Sequence, residues 1–294
     1  MSQEVDESLL RKAKDVAAGF AGGAVQVLIG QPFDLVKVRL QTGQYNSPLT
    51  AVRDTLKNEG LLAFYKGTLA PLFGVGACVS LQFYGFHEAK RQLLKYNSGN
   101  SGTLSLPQFY AAGAVAGIVN TPITAPVEQL RIILQTQKGK SGYHGPRELV
   151  KHIVREYGVS ALGRGFQITL LREIQAYGVW FLAYEWLMKT TTQKWGVARD
   201  QISTPQLMLY GALAGEFLWL SSYPLDVIKS RVQGDTFGST SKYHGSARAA
   251  ARHIWQTQGL IGFWRGIVPT LVRAIPCSAA TFTTVEWTLR LLGS

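Results

Sequence analysis

The stretch that decides the reading is Gln31-Pro32-Phe33-Asp34-Leu35-Val36-Lys37-Val38-Arg39-Leu40-Gln41. A proline is followed two residues on by an acid, then three on by a base, then four on by a glutamine. The apolar run Val16 to Ile29 leads into it. The spacing recurs as Pro126, Glu128, Arg131 and Gln135, and again as Pro224, Asp226, Lys229 and Gln233, with the prolines 94 and then 98 residues apart. The chain is therefore three tandem copies of one unit, which sets the frame for everything else.

Working outward, six apolar stretches approach the roughly 20 residues needed to cross a bilayer: 16–41, 68–94, 107–136, 166–189, 205–233 and 267–291. The first stretch of each unit carries a glycine pair four apart, Gly19 with Gly23, Gly113 with Gly117 and Gly211 with Gly215, the first always 13 residues before the motif proline. Such pairs share one helix face and allow close backbone approach. Polar connections follow, each holding a short helical pattern: Pro48 to Asn58, 146–156 and 246–257. Leu149, Val150, Ile153 and Val154 make an apolar stripe on one of these, too short to span and suited to a membrane surface. Each connection ends on a basic-glycine triplet, Tyr65-Lys66-Gly67, Gly163-Arg164-Gly165 and Trp264-Arg265-Gly266.

Of 294 residues, 46% are hydrophobic and the net charge is +12. Basic residues scattered between apolar runs, without a cluster interleaved with aromatics, argue against a nucleic-acid partner. Cys78 and Cys277 are too few for a disulfide framework or a zinc site, and no metal or other cofactor is expected. The acidic segment 1–15 lacks the pattern of a secretory signal or an Arg-rich transit peptide. The histidines are dispersed and no catalytic motif occurs, so an enzyme is not expected.

These motifs resemble the mitochondrial carrier family, over about Asp15 to Leu292, and most closely its carnitine/acylcarnitine and basic amino acid branch with fungal-type members. The resemblance implies an all-α membrane protein: six transmembrane helices in three pseudo-symmetric repeats around a central cavity, with three short amphipathic helices on the matrix side. The expected organisation is a polar extension over 1–15 and repeats over 16–98, 107–196 and 205–292. Implied with it are a multi-pass place in the mitochondrial inner membrane, a monomer, and contact with anionic lipid such as cardiolipin. Repeat 2 departs from the pattern at Ile133, where the others have Arg39 and Arg231, and at Tyr157 and Gly163.

Charges at membrane depth are costly unless paired. Three acids and three bases can close a ring, and the family's order pairs Asp34 with Arg131, Glu128 with Lys229, and Asp226 with Lys37, as a matrix-side gate braced by Gln41, Gln135 and Gln233. Twenty residues after each triplet glycine stand His87, Glu185 and Glu286, with Lys90 three further on. The resemblance implies a gate on the cytoplasmic side, and with one base, Lys90, facing the two acids it is expected to be the weaker of the two.

Seven, eleven and fifteen residues after the triplet glycine, one face of each second helix presents Gly74, Cys78 and Gln82, then Arg172, Ala176 and Trp180, then Arg273, Cys277 and Thr281. An arginine inside a membrane helix points to function. Arg172 adjoins Glu173, and an Arg–acid pair here marks the family's amino-acid branch; the alternative is a pair satisfied without ligand. Glu216 replaces Ala24 and Ile118 of the other repeats, an asymmetry suited to substrate or to a structural pairing. The expected substrate site is Arg172, Glu173, Arg273, Glu216, Gln82, Trp180, Cys78 and Cys277. The expected function is secondary transport of small zwitterionic or cationic amino acids by alternating access. The alternatives are a carnitine/acylcarnitine carrier and a carrier fold that has lost transport and serves interaction.

Overall fold

The structure is a computed structural model that describes residues 2–97, 104–137 and 142–291. The expected repeat ends at 98 and 292 lie outside the described residues. Every regular element described is helical: α1 (Ser2–Gln41), α2 (Pro48–Glu59), α3 (Leu69–Tyr96), α4 (Leu106–Thr136), α5 (Pro146–Tyr157), α6 (Phe166–Trp195), α7 (Thr204–Gln233), α8 (Ala247–Gln258), α9 (Ile267–Val272) and α10 (Ala274–Leu291). The acidic N-terminal segment continues α1 without a break, and the last long stretch is divided at Arg273. The remaining long helices fall where hydropathy placed them, and the three short ones begin at Pro48, Pro146 and Ala247.

The helices close a circle. α3 packs on α4, α4 on α6, and α6 on α7, while α10 packs on α1 and α9 touches both α1 and α7. Repeat 2 is joined by close backbone approach: a Cβ on Gly113 would sit 2.4 Å from the Tyr177 carbonyl oxygen, and one on Gly117 2.6 Å from that of Glu173. The same expectation fails at Gly23 in repeat 1 and at both glycines in repeat 3. Gly23, Gly211 and Gly215 have open space where a Cβ would be, and in repeat 1 the tight contact is at Gly22, against Val285 of α10. Glycines at equal sequence positions thus do different work because the neighbouring helix is not equally near.

The triplet glycines obey the threefold rule. Gly67, Gly165 and Gly266 all take positive φ (78°, 77° and 88°), a conformation that favours glycine. A Cβ on them would lie 3.3, 3.2 and 3.5 Å from Cγ of Gln135, Gln233 and Gln41 respectively. The start of each repeat's second helix therefore rests on the motif glutamine of the next repeat, and the third returns to the first.

By length and composition one described stretch, Leu260–Val285, is apolar enough to cross a membrane. The other long helices are interrupted by charged and polar side chains, and those of the motif on α1 and α7 are withdrawn from the surface: Gln31, Asp34, Lys37, Asp226, Lys229 and Gln233 are all buried.

Candidate functional site

The motif prolines lie inside α1, α4 and α7, and the charges just beyond them converge. Lys37 Nζ is 2.7 Å from Asp226 Oδ2, Arg131 Nη2 is 2.6 Å from Asp34 Oδ2, and Lys229 Nζ is 2.8 Å from Glu128 Oε2. Lys229 also reaches Asp226 Oδ1 at 3.0 Å. These side chains enclose a residual space of about 80 Å³.

Two arginines from the second helices join them. Arg172 Nη2 lies 2.6 Å from Glu128 Oε1, its Nη1 2.5 Å from Glu173 Oε1, and its Nε 3.5 Å from Asp226 Oδ1. Arg273 Nη1 is 2.7 Å from both oxygens of Asp34. The cluster holds five bases (Lys37, Arg131, Lys229, Arg172, Arg273) and four acids (Asp34, Glu128, Asp226, Glu173), a surplus of one positive charge. An anionic group of a ligand would be balanced there.

The glutamines do not act alike. Gln41 Nε2 donates to Asp226 Oδ2 at 2.9 Å and its Oε1 accepts from Ser230 at 2.8 Å, bracing the Lys37–Asp226 pair. Gln233 instead donates to Thr169 Oγ1 at 3.1 Å, and Gln135 makes no side-chain hydrogen bond among the described residues. The expected bracing by Gln135 and Gln233 is corrected for a simple reason: Arg172 and Lys229 already take one Glu128 oxygen each, and Arg131 and Arg273 occupy Asp34. Sequence reasoning missed Gln31, whose Oε1 accepts from Arg131 at 2.9 Å and whose Nε2 donates to the Lys66 carbonyl at 2.7 Å. Its repeat equivalents, Ala125 and Tyr223, differ from it and from each other, which was the available signal.

Beside this ring lies a cavity of about 480 Å³ whose walls include Trp180, Glu216, Trp219, Arg273, Cys277 and Thr281. It gathers four of the expected substrate residues and leaves four out. Arg172 and Glu173 are not on its wall, their side chains being 9% and 1% exposed. Cys78 lies on the α3–α4 seam with Sγ 3.7 Å from Thr124 Oγ1, and Gln82 is half-buried on α3. Trp219, which sequence reasoning passed over, carries Lys37 Nζ 4.0 Å and the Arg273 guanidinium 5.9 Å from its ring centre.

Among the described residues, Lys90, His87 and Glu185 of the expected opposite gate form no ion pair with one another in this conformation. Glu185 pairs with Arg199 at 2.9 Å. Lys90 lies 5.7 Å from the centre of the Phe109 ring, and His87 is exposed against Phe83 and Phe86. The Glu286 side chain lies outside the described residues. The charges at one end are gathered, while Glu185 and Lys90 at the other take separate partners.

Outside the membrane helices, Glu59 binds Arg39 at 2.7 Å and Lys66 at 2.5 Å. Arg39 also donates to the Gln135 carbonyl at 3.1 Å, tying repeat 1 to repeat 2. Burial would raise the Glu59 carboxyl, but hydrogen bonds from Arg39 and Lys66 hold it below the usual carboxylate range. In repeat 3 the equivalents are Arg231 and Gln258, 3.0 Å apart. In repeat 2, Ile133 joins an apolar cluster with Leu149 and Ile153, and Tyr157 stacks on Phe237. Arg164 turns to repeat 3 and pairs with Asp235 at 3.0 Å.

A threefold helical ring, closed by ion pairs at the motif prolines and bordered by a cavity that carries Glu216 and Arg273 on its wall, has the form of a solute carrier. The chain belongs to the mitochondrial carrier protein family, which it matches over residues 10–97, 102–195 and 200–294. It is 47% identical to the mitochondrial glycine transporter of Saccharomyces cerevisiae, covering 96% of this chain and 92% of that one. It is 45% identical to the glutamate/glycine mitochondrial carrier of Schizosaccharomyces pombe, covering 95% and 94%. The human mitochondrial carnitine/acylcarnitine carrier protein is 34% identical over 95% and 94%.

Proposed function

We propose that this carrier moves small zwitterionic amino acids across the mitochondrial inner membrane by alternating access, through six membrane-spanning helices. The observation that carries the reading is the placement of Arg172 and Arg273, each seven residues after a triplet glycine, on the carboxylates of the ion-pair ring. The ring is the matrix-side gate, closed in this conformation. Every guanidinium nitrogen of Arg172 lies within 3.5 Å of a ring or neighbouring carboxylate oxygen, and Nη2 donates to Glu128. A substrate carboxylate that takes Arg172 must therefore draw it from Glu128 or Asp226. Binding and unlocking become one event, and the surplus positive charge of the cluster accommodates the carboxylate. The ammonium group is balanced by Glu173 or Glu216. The relatives named for glycine and glutamate support this substrate class. The protein works as a monomer, with its short helices against anionic lipid such as cardiolipin, and the set at Lys90, His87, Glu185 and Glu286 closes the cytoplasmic side in the opposite state.

The test is reconstitution into liposomes loaded with glycine, with competition by glycine, glutamate, arginine, carnitine, malate and ADP against uptake. Preference for glycine or glutamate supports the reading. Preference for carnitine moves the assignment to the acylcarnitine class, and preference for malate or ADP removes the amino-acid assignment.

A further inference from the structure

Glu216 and Trp219 stand three residues apart on α7 and so share one face. Glu216 is half-buried on the wall of the 480 Å³ cavity and has no ion pair among the described residues. Each acid of the ring has at least two basic partners, so Glu216 is the carboxylate left for a cation arriving in the cavity. Trp219 lines both the cavity and the small space within the ring. The negative face of an indole attracts a cation within about 6 Å of its centre. Lys37, whose ammonium is also bound to Asp226, lies at 4.0 Å.

We infer that Glu216 and Trp219 form an ammonium subsite, and that Trp219 is the shared wall where a substrate ammonium and Lys37 compete. This rests on the amino-acid reading and gives it a first docking position. Arg273, 25% exposed and bordering the same cavity, is bound to Asp34 through Nη1 alone. Nε and Nη2 remain for a substrate carboxylate, because no other hydrogen bond is made by this guanidinium among the described residues. Glycine can thus dock between Arg273 and Glu216 before reaching Arg172, which the cavity wall does not include. An ammonium on Trp219 reduces the ring's hold on Lys37, one partner of the Lys37–Asp226 pair. Trp219 is in this sense a specificity and positioning residue. It recognises the positive charge and conveys its presence to the gate.

The experiment compares glycine with glycolate, which keeps the carboxylate and replaces the ammonium with a hydroxyl. Both are measured as inhibitors of labelled glycine uptake in liposomes, for the wild type, Trp219→Phe, Trp219→Leu and Glu216→Gln. The expected result is a wild type that prefers glycine. Trp219→Leu raises the glycine KM about ten-fold, within the range of a cation–π contact, and leaves the glycolate inhibition constant in place. Trp219→Phe retains most of the preference, and Glu216→Gln loses it. A wild type that does not distinguish the two compounds overturns the amino-acid reading and this inference together. A wild type that does distinguish them, with Trp219→Leu weakening both equally, overturns the inference alone and marks Trp219 as packing. Should Trp219→Leu fail to insert, the isosteric Glu216→Gln decides, since an unchanged glycine preference there removes the subsite.

Discussion

Arg172 Nη2 lies 2.6 Å from Glu128 Oε1, so the arginine expected to hold substrate is in this conformation part of the ion-pair ring. Lys229 holds the other oxygen of the same carboxylate at 2.8 Å. One acid thus joins a first-helix base and a second-helix base. On the proposed gating, both interactions are exchanged and not merely lost, because a buried charge left alone costs more than the pair gains.

The Lys37–Asp226 pair gives the first prediction. Lys37→Ala leaves Asp226 with Lys229, Gln41 and the longer Arg172 contact, so the ring is weakened between repeats 1 and 3. Losing one partner of such a contact costs about 2–5 kcal/mol, and uptake should fall at least ten-fold. Lys37→Asp combined with Asp226→Lys should recover part of it. Liposome uptake measures both, and full activity of the single variant would remove the gate assignment.

Glu173 gives the second. It is fully buried, and Arg172 is its ion-pair partner. Glu173→Gln keeps its shape and removes its charge, leaving Arg172 to Glu128 and Asp226. The variant should insert normally and lose at least ten-fold in glycine kcat/KM, by the same range for a broken charged contact. Circular dichroism and uptake together test this; unchanged glycine transport would remove Glu173 from the mechanism.

The cysteines separate in the third. Cys277 lines the cavity, although only 4% exposed, and Cys78 sits on a helix seam. Mercurial inhibition should be abolished by Cys277→Ala and persist in Cys78→Ala, with saturating glycine protecting the wild type. The reverse pattern would place Cys78 in the transport path.

The fourth concerns acid. Glu59 and Asp235 lie outside the membrane helices and hold their carboxyls below the ordinary range. For Asp235 burial acts upward, and the amides of Tyr243 and Lys242, the Ser241 hydroxyl and Arg164 act downward and win. A carboxyl lowered in the folded state contributes stability above its unfolded value, about 3.9 for Asp and 4.3 for Glu. That contribution is lost as pH falls through the folded value. Melting temperature should therefore drop below about pH 4, and the drop should be smaller in Glu59→Gln with Asp235→Asn, which starts from a lower plateau at neutral pH. An acid response identical to the wild type would exclude these two groups as its source.

The fifth contrasts two glycines. Gly117→Ala places a methyl 2.6 Å from the Glu173 carbonyl oxygen and should destabilise by about 1–3 kcal/mol. Gly23→Ala meets nothing within 4 Å and should be neutral or stabilising by up to about 1 kcal/mol through helix propensity. Thermal unfolding in detergent compares them; equal shifts would mean that α4 and α6 do not touch at Gly117.

The repeat spacing by itself determined that Pro32, Pro126 and Pro224 begin equivalent turns. It also determined that six charges must find one another, since a buried charge has few other remedies. It determined the triplet glycines as well, because only a residue without a Cβ sits easily at positive φ beside the next repeat's glutamine. Periodicity found the helices for the same reason: the 3.6-residue repeat is local. What only the tertiary structure decided is which partner each side chain takes when several compete. Gln41 reaches an ion pair while Gln233 turns to Thr169, Arg172 enters the ring and leaves the cavity wall, and Glu185 takes Arg199. Those choices depend on separations of a few ångströms between helices distant in sequence. Coulomb and hydrogen-bond energies change steeply over such distances, and nothing in the spacing of residues along one helix fixes them.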